Sequence, residues 1–387
     1  VTVVAPGAPA GPGAPPAAAL VDWAAAGRVA GWLAARKPLP PGYDPAALTA
    51  DFEEATARAE GLVAAATGLQ APSGARARVT DRPGWAQANV ASIQRLLGPT
   101  LTRLDEGRQA RTANSPVPAG LQRGLTVAGR AVTGTQLGLV LAWMSTRVLG
   151  QYDVLVTEEL VEDQDLVYYV GPNIVELEQR HRFDPAEFRL WIALHEVTHR
   201  AQFTGVPWLR DHFVALVDEG LEPFTADPGR VVVAVRRAAE EIRSGRSPLD
   251  DAGMLGLVAG PEQLEAIRRI QALMSLLEGH GDVTMDRAGA DAIPGAARFS
   301  DVLRRRREQV RGPTRLLQRL LGLEAKFRQY AEGEHFVHRV EEAGGPGALD
   351  KVWRGPEWLP TLTEIREPDA WLARTGGPEE ASALSPG

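Results

Sequence analysis

The sequence predicts a mainly α-helical fold carrying one small β-hairpin or sheet. Apolar residues recur at three- and four-residue spacing through most of the chain, and Pro and Gly break that pattern into helix-sized pieces. One stretch, between 152 and 170, changes texture to short runs of β-branched and aromatic residues. At 387 residues, with 44% hydrophobic and 24% charged, the chain can bury a sizeable core and is long enough for two or three domain-sized units.

Taken in order, residues 1 to 18 form a Pro/Ala/Gly tract too poor in large side chains to offset its ordering entropy, and are expected to be disordered. Residues 19 to 150 show helical patterns near 20 to 35, 45 to 66, 84 to 97 and 125 to 148, which predicts an all-helical N-terminal region. Tyr152, Val154, Leu155 and Val156, then Leu166, Val167, Tyr168, Tyr169 and Val170, are two β-type runs joined by acidic residues. Beyond Gly171 helical patterns return to about Trp353, so 151 to 375 is expected to be a second region. The Gly/Ser/Pro-rich end, 376 to 387, is expected to be a flexible tail.

Composition excludes several classes of function. No cysteine is present, so disulfides and thiolate metal sites are ruled out and any metal must be held by His and carboxylates. A net charge of -7 leaves no nucleic-acid footprint. The run Arg304 to Arg307 is flanked by Asp301 and Glu308 within a helical pattern, and reads as a solvated face. No apolar run approaches the roughly 20 residues of a membrane span, and Val1 to Ala19 lacks the layout of a signal peptide. The expected location is cytoplasmic. Lysine is avoided throughout, leaving Lys37, Lys326 and Lys351.

The strongest signal is His195-Glu196-Val197-Thr198-His199. Asp184, Pro185 and Glu187 read as an N-cap, a proline in the first turn and the glutamate of a capping box, and Gly205 with Pro207 reads as a stop. The helix between them would span about 30 Å. Its first half, Phe188 to Leu194, is apolar nearly all round, so it should be buried. Two histidines four apart share one face and can converge on one metal ion, while Glu196 is rotated off that line and suits a general base. Placed merely in a polar helix, the same residues would face water; here the apolar surroundings make a metal the partner that their burial requires.

A zinc hydrolase commonly takes a third protein ligand. A second helical pattern opens at Gly260-Pro261-Glu262, and its stripe Ile267, Gln271, Met274, Glu278, Asp282, Met285 places two carboxylates where core residues are expected. Glu278 is the expected ligand, and Asp282, one turn on, the expected acceptor for the free ring N–H of a ligand histidine. Gly279 and Gly281 should let this helix approach the first. His280 competes as ligand, but two residues along a helix is about 200° of rotation, so it cannot face the same ion as Glu278. The plainer alternative pairs the two carboxylates with neighbours such as Arg287.

The spacing of Glu278 and Asp282 resembles that of the thermolysin-like gluzincins, although the interval from His199 to Glu278 is far longer than in thermolysin. The string Phe188 to Glu196, with Val170-Gly171-Pro172-Asn173 before it and Leu277-Glu278-Gly279-His280 after it, resembles the actinobacterial zincin-like metallopeptidase family. The likeness extends from Asp81-Arg82-Pro83-Gly84-Trp85 and Asn89 through Lys326, Gln329 and Tyr330 to Trp353, Gly355, Pro356 and Glu357. It implies a mostly helical zincin-like architecture, and some members carry an association with deazaflavin-cofactor biosynthesis. The expected chemistry is hydrolysis of an amide bond in a peptide or peptide-like substrate, with Zn2+ as cofactor and Glu196 as base. Tyr330, His335 and Lys326 are the candidate donors to the oxyanion, with Tyr168 and Tyr169 behind them, and the run 165 to 170 could offer its edge to an extended peptide. A zinc amidohydrolase acting on a small metabolite, or a catalytically silent binding protein, are the alternatives.

Overall fold

A computed structural model of the chain describes residues 20–112, 119–153, 165–221, 261–308, 323–345 and 347–376. The start expected to be disordered (1–18), nearly all of the expected tail (376–387), and Val154, Leu155 and Val156 lie outside the described residues.

Helices α1 (Trp23–Ala34) and α2 (Pro45–Thr67) begin at aspartates whose carboxylates accept first-turn amides, Asp22 from Ala25 at 2.8 Å and Asp44 from Ala46 at 3.0 Å. Gly68 closes α2 at φ 69°, a left-handed cap that glycine adopts without strain. Strand β1 (Arg76–Thr80) follows, then α3 (Arg82–Thr112), α4 (Ala119–Ser145), β2 (Gly150–Tyr152) and β3 (Leu166–Val170). Helices α5 (Gly171–His181), α6 (Pro185–Gly205), α7 (Leu209–Leu221), α8 (Pro261–Gly289), α9 (Ala296–Glu308) and α10 (Leu323–Gly344) complete the main body. Two 3-10 turns, Leu349–Trp353 and Pro356–Trp358, lead to the short α11 (Leu362–Arg366) and α12 (Pro368–Arg374).

The expected hairpin is present as part of a three-stranded sheet in the order β1-β3-β2. β2 runs antiparallel to β3, pairing Gly150 with Tyr169 and Tyr152 with Val167. β1 runs parallel to β3, pairing Arg76 with Leu166 and Thr80 with Val170. This corrects the all-helical reading of the N-terminal region: Arg-Ala-Arg-Val-Thr alternates polar and apolar residues, but a five-residue run with only Ala77 and Val79 apolar is too short to announce an edge strand. It also corrects the idea that 165 to 170 offers an edge. β3 is the central strand, and all five of its residues are buried, which is why they form an unbroken apolar run.

Helix α3 overruns the boundary expected near 97 and passes through Pro99. A mid-helix proline removes one backbone hydrogen bond. Tertiary contacts hold the second half: Thr100 Oγ1 donates to Asp218 at 2.7 Å, and buried Asp105 pairs with Arg130 at 3.2 Å.

The largest apolar cluster joins α2, β3, α5, α6 as far as Ala201, Met285 of α8, and α9. Phe52 stacks on Tyr169 at 3.9 Å, and the Tyr169 hydroxyl bonds Thr56 at 2.7 Å, fixing α2 to the sheet. Both the sheet and this core draw on residues either side of 150. The fully buried Arg82 bonds Asn173 at 2.8 Å and the carbonyls of Lys37 and Pro38. Asn173 in turn donates to the carbonyls of Ser145 and Val148 at 2.8 and 2.7 Å, which fixes the turn that delivers β2 to the site. The same Arg82 and Asn173 belong to the strings that carry the family likeness. Arg304 and Arg305 are exposed and paired with Asp301, as a solvated face requires. Among the described residues, no helix is long and apolar enough to cross a membrane.

Candidate metal centre

Helix α6 begins and ends where its sequence signals lie. The Asp184 carboxylate accepts the Glu187 amide at 3.0 Å, but the Glu187 side chain does not close a capping box; it accepts the Gly295 amide at 2.7 Å and pins the start of α9 instead. Phe188, Leu190, Ile192, Ala193 and Leu194 are buried as expected. One turn beyond Glu196, the buried Arg200 pairs with Glu60 at 2.8 Å and Asp165 at 3.0 Å, so the helix cannot rotate about its axis without unpairing a buried charge. These anchors set the direction in which His195, Glu196 and His199 point.

α8 packs against α6 and brings Glu278 to the histidines. His195 Nε2 and His199 Nε2 lie 3.2 Å apart, and Glu278 Oε2 lies 3.7 Å from the first and 3.4 Å from the second. For ligand bonds of about 2.0–2.1 Å in a tetrahedral zinc site, neighbouring donor atoms sit about 3.3–3.4 Å apart. The observed triangle has that size without any rearrangement. Glu278 is 6% exposed and His195 is 22% exposed, so the group is closed beneath by the carboxylate and opens toward solvent beside His195.

The hydrogen bonds fix which ring nitrogen of His199 is free. Gln202 Nε2 donates to the Leu277 carbonyl at 3.0 Å, which can only accept, so the Gln202 oxygen is the end that faces His199 Nδ1 at 3.0 Å. Nδ1 therefore carries the hydrogen, and the Nε2 lone pair points at Glu278 and His195. Such a convergence of lone pairs and a carboxylate needs a cation between them. With no metal, a proton fills the role: burial alone would lower the His199 pKa, but the Glu278 hydrogen bond and charge, with the Glu196 charge, push it up to about 9. The donor set, two imidazoles and one carboxylate without thiolate, fits a zinc-type ion.

His280 points away from this group, as its position on α8 requires. Its Nδ1 accepts the second Gln202 amide hydrogen at 2.9 Å, and its ring meets Trp353 edge-on at 5.2 Å. Burial first, then the His199 and Arg287 charges, push it down to about 3, so it stays neutral. Gln202 thus joins His199 to a buried neutral histidine. It was not legible as functional: nothing in a glutamine three residues beyond His199 marks it, apart from its lying among residues that pack the core.

Asp282 falls beside His195, but its Oδ1 is 4.0 Å from Nδ1, beyond hydrogen-bond reach, and the Met285 sulfur sits closer at 3.1 Å. Arg287, the neighbour named for a plain ion pair, pairs with Glu341. Gly281 faces the histidines as expected, with the site of a Cβ 3.4 Å from His199 Cε1. Gly279 does not: a Cβ there would lie 2.1 Å from the Gly333 carbonyl carbon, so it serves close packing of α8 on α10. The Glu196 carboxylate is buried and accepts the Tyr152 amide at 3.1 Å. Lys326, Tyr330 and His335 all lie on α10; the side chains of the first two are outside the described residues, and His335 is exposed. Tyr169 is fully buried, and its hydroxyl meets Thr56 Oγ1.

Two histidines one turn apart, a glutamate from a second helix and a further glutamate between them make a group able to hold one metal ion, of the type built by metallohydrolases. The chain belongs to the zincin-like metallopeptidase family, whose sequence model matches residues 21–372. Among solved structures it is similar to a Chloroflexus aurantiacus crystal structure, given provisionally as that of a hydrolase with a novel fold. The identity is 28% and the TM-score 0.64, over 92% of this chain and 98% of that one. A comparison with curated proteins finds no match.

Proposed function

We propose that the protein is a zinc-dependent hydrolase that cleaves an amide bond in a peptide or peptide-like substrate. The observation that carries this is the His195, His199 and Glu278 triangle, 3.2 to 3.7 Å on a side, with Glu196 on the same helix. Zinc held there would polarise the scissile carbonyl and acidify a water toward neutral pH. Glu196 takes a proton from the attacking water and returns it to the leaving amine. His199 and His195 stay neutral in the metal-loaded state, His199 being oriented by Gln202. Lys326 and Tyr330, one turn apart on α10, are the donors proposed for the developing oxyanion.

Glu196→Gln should keep one zinc per chain and lower hydrolysis by about 10²- to 10⁴-fold, the range for loss of a general base. His199→Ala should lose both. A Glu196→Gln protein as active as its parent would overturn the hydrolase reading. Assaying a peptide library beside small amides decides between a peptidase and an enzyme of small-metabolite amides, which the deazaflavin association would favour.

A further inference from the structure

The catalytic carboxylate is held from the side by strand β2. A Cβ built on Gly150 would lie 2.6 Å from Glu196 Cγ, 2.7 Å from Oε1 and 2.8 Å from Cδ. Non-bonded carbons rest at about 3.5–4.0 Å, so any side chain at 150 must displace the carboxylate by about 1 Å. Gly150 is not among the glycines with positive φ, so its backbone would accept alanine; what the position requires is empty space. Two residues on, the Tyr152 amide donates to Glu196 Oε2 at 3.1 Å. The missing side chain and the donated amide act on the same carboxylate from the same three-residue strand.

We infer that Gly150 and the Tyr152 amide form a seat that positions the Glu196 carboxylate, one supplying the room and the other the hydrogen bond that fixes its rotamer. Neither residue supplies a metal ligand; both are positioning elements acting through Glu196. The seat is built into the turn that Asn173 fixes at Val148, so its place relative to α6 is set by the buried Arg82 and Asn173 pair. Its catalytic meaning rests on the hydrolase reading, whereas its geometry does not.

The chain has five tyrosines, so protein labelled with ¹⁵N-tyrosine gives five amide signals, of which Tyr152→Phe identifies one. In metal-free protein, the Tyr152 signal should lie at low field, as expected of an amide bonded to a carboxylate. Gly150→Ala and Glu196→Gln should each move that signal upfield while leaving those of Tyr43 and Tyr168 in place. On the amide substrate found by the screen, Gly150→Ala should lower kcat about 10²-fold, the cost of a misplacement of about 1 Å, with KM and zinc stoichiometry unchanged. If Gly150→Ala does not fold, Glu196→Ala combined with Gly150→Ala should, because all three atoms that the new methyl strikes are then gone. A Tyr152 signal unmoved by Gly150→Ala, or a double variant as unfolded as the single one, overturns the seat. A parent that binds no zinc overturns the hydrolase reading instead, and the metal-free spectrum still decides the seat.

Discussion

Gln202 is the residue through which the centre can be weakened without touching a ligand. Gln202→Leu ends one atom earlier and removes the side-chain oxygen and nitrogen, so three bonds disappear: the one that holds His199 Nδ1–H at 3.0 Å, and those given to Leu277 and His280 at 3.0 and 2.9 Å. Loss of an outer partner of a ligand histidine weakens metal binding about 10- to 100-fold, or about 1.4–2.7 kcal/mol. His280 Nδ1 is left buried without its donor, at about 1–3 kcal/mol, a sizeable share of the 5–15 kcal/mol that keeps a domain folded, whereas the Leu277 carbonyl keeps its bond within α8. His280 cannot respond by taking a proton near neutral pH, because burial holds its pKa down at about 3. Zinc titration against a chromophoric chelator, beside urea unfolding, reads both effects. Gln202→Glu separates them: it keeps an acceptor for His199 and loses both donors, so it should bind zinc at least as well as the leucine variant and be similarly destabilised. A leucine variant within twofold of its parent in zinc affinity, with the same urea midpoint, would refute this account of the amide.

Metal-free protein should lose stability as pH rises from 6.5 through about 9. The folded His199 pKa is raised above its ordinary value, so its contribution is fully present below pH 6.5 and gone above 9; at about 1.4 kcal/mol per unit this is about 3 kcal/mol. Thermal unfolding in a chelator should show Tm falling across that window, and a flat or rising Tm would contradict the assignment. Over the same window the proton competes with zinc, so apparent zinc affinity should weaken about tenfold per unit of falling pH. Gly279→Ala should destabilise by at least about 1–3 kcal/mol, because the new methyl meets the Gly333 backbone, which cannot swing aside. Gly281→Ala, whose methyl meets His199 Cε1 at 3.4 Å, should cost less in urea unfolding.

The most legible parts of the sequence were those where local chemistry and tertiary role agree. Asp184, Pro185 and the apolar run to Leu194 announced a buried helix, and the spacing of His195 and His199 announced that their imidazoles would meet on one face. Glu278 was found because a carboxylate interrupted an apolar stripe. Where roles are set by partners distant in sequence, local pattern failed. Glu187 has the position of a capping-box residue, but the Gly295 amide, over a hundred residues away, claims it. Gly279 and Gly281 look alike, yet two steps along a helix turn them to different neighbours, α10 and the histidines. β1 alternates polar and apolar residues, but over five residues with only Ala77 and Val79 apolar the signal is too brief to stand out, and Pro99 reads as a stop until Thr100 and Asp105 find their partners. Asp282 was placed on the right side of the centre and falls short of His195 by about 1 Å of hydrogen-bond reach.

The most direct test of the centre is the position of the metal itself, by anomalous diffraction at the zinc edge from crystals of the full chain grown with zinc. One peak per chain is expected, about 2.0–2.2 Å from His195 Nε2, His199 Nε2 and a Glu278 carboxylate oxygen together. A peak bound elsewhere, or one that leaves Glu278 outside coordination distance, would contradict the account.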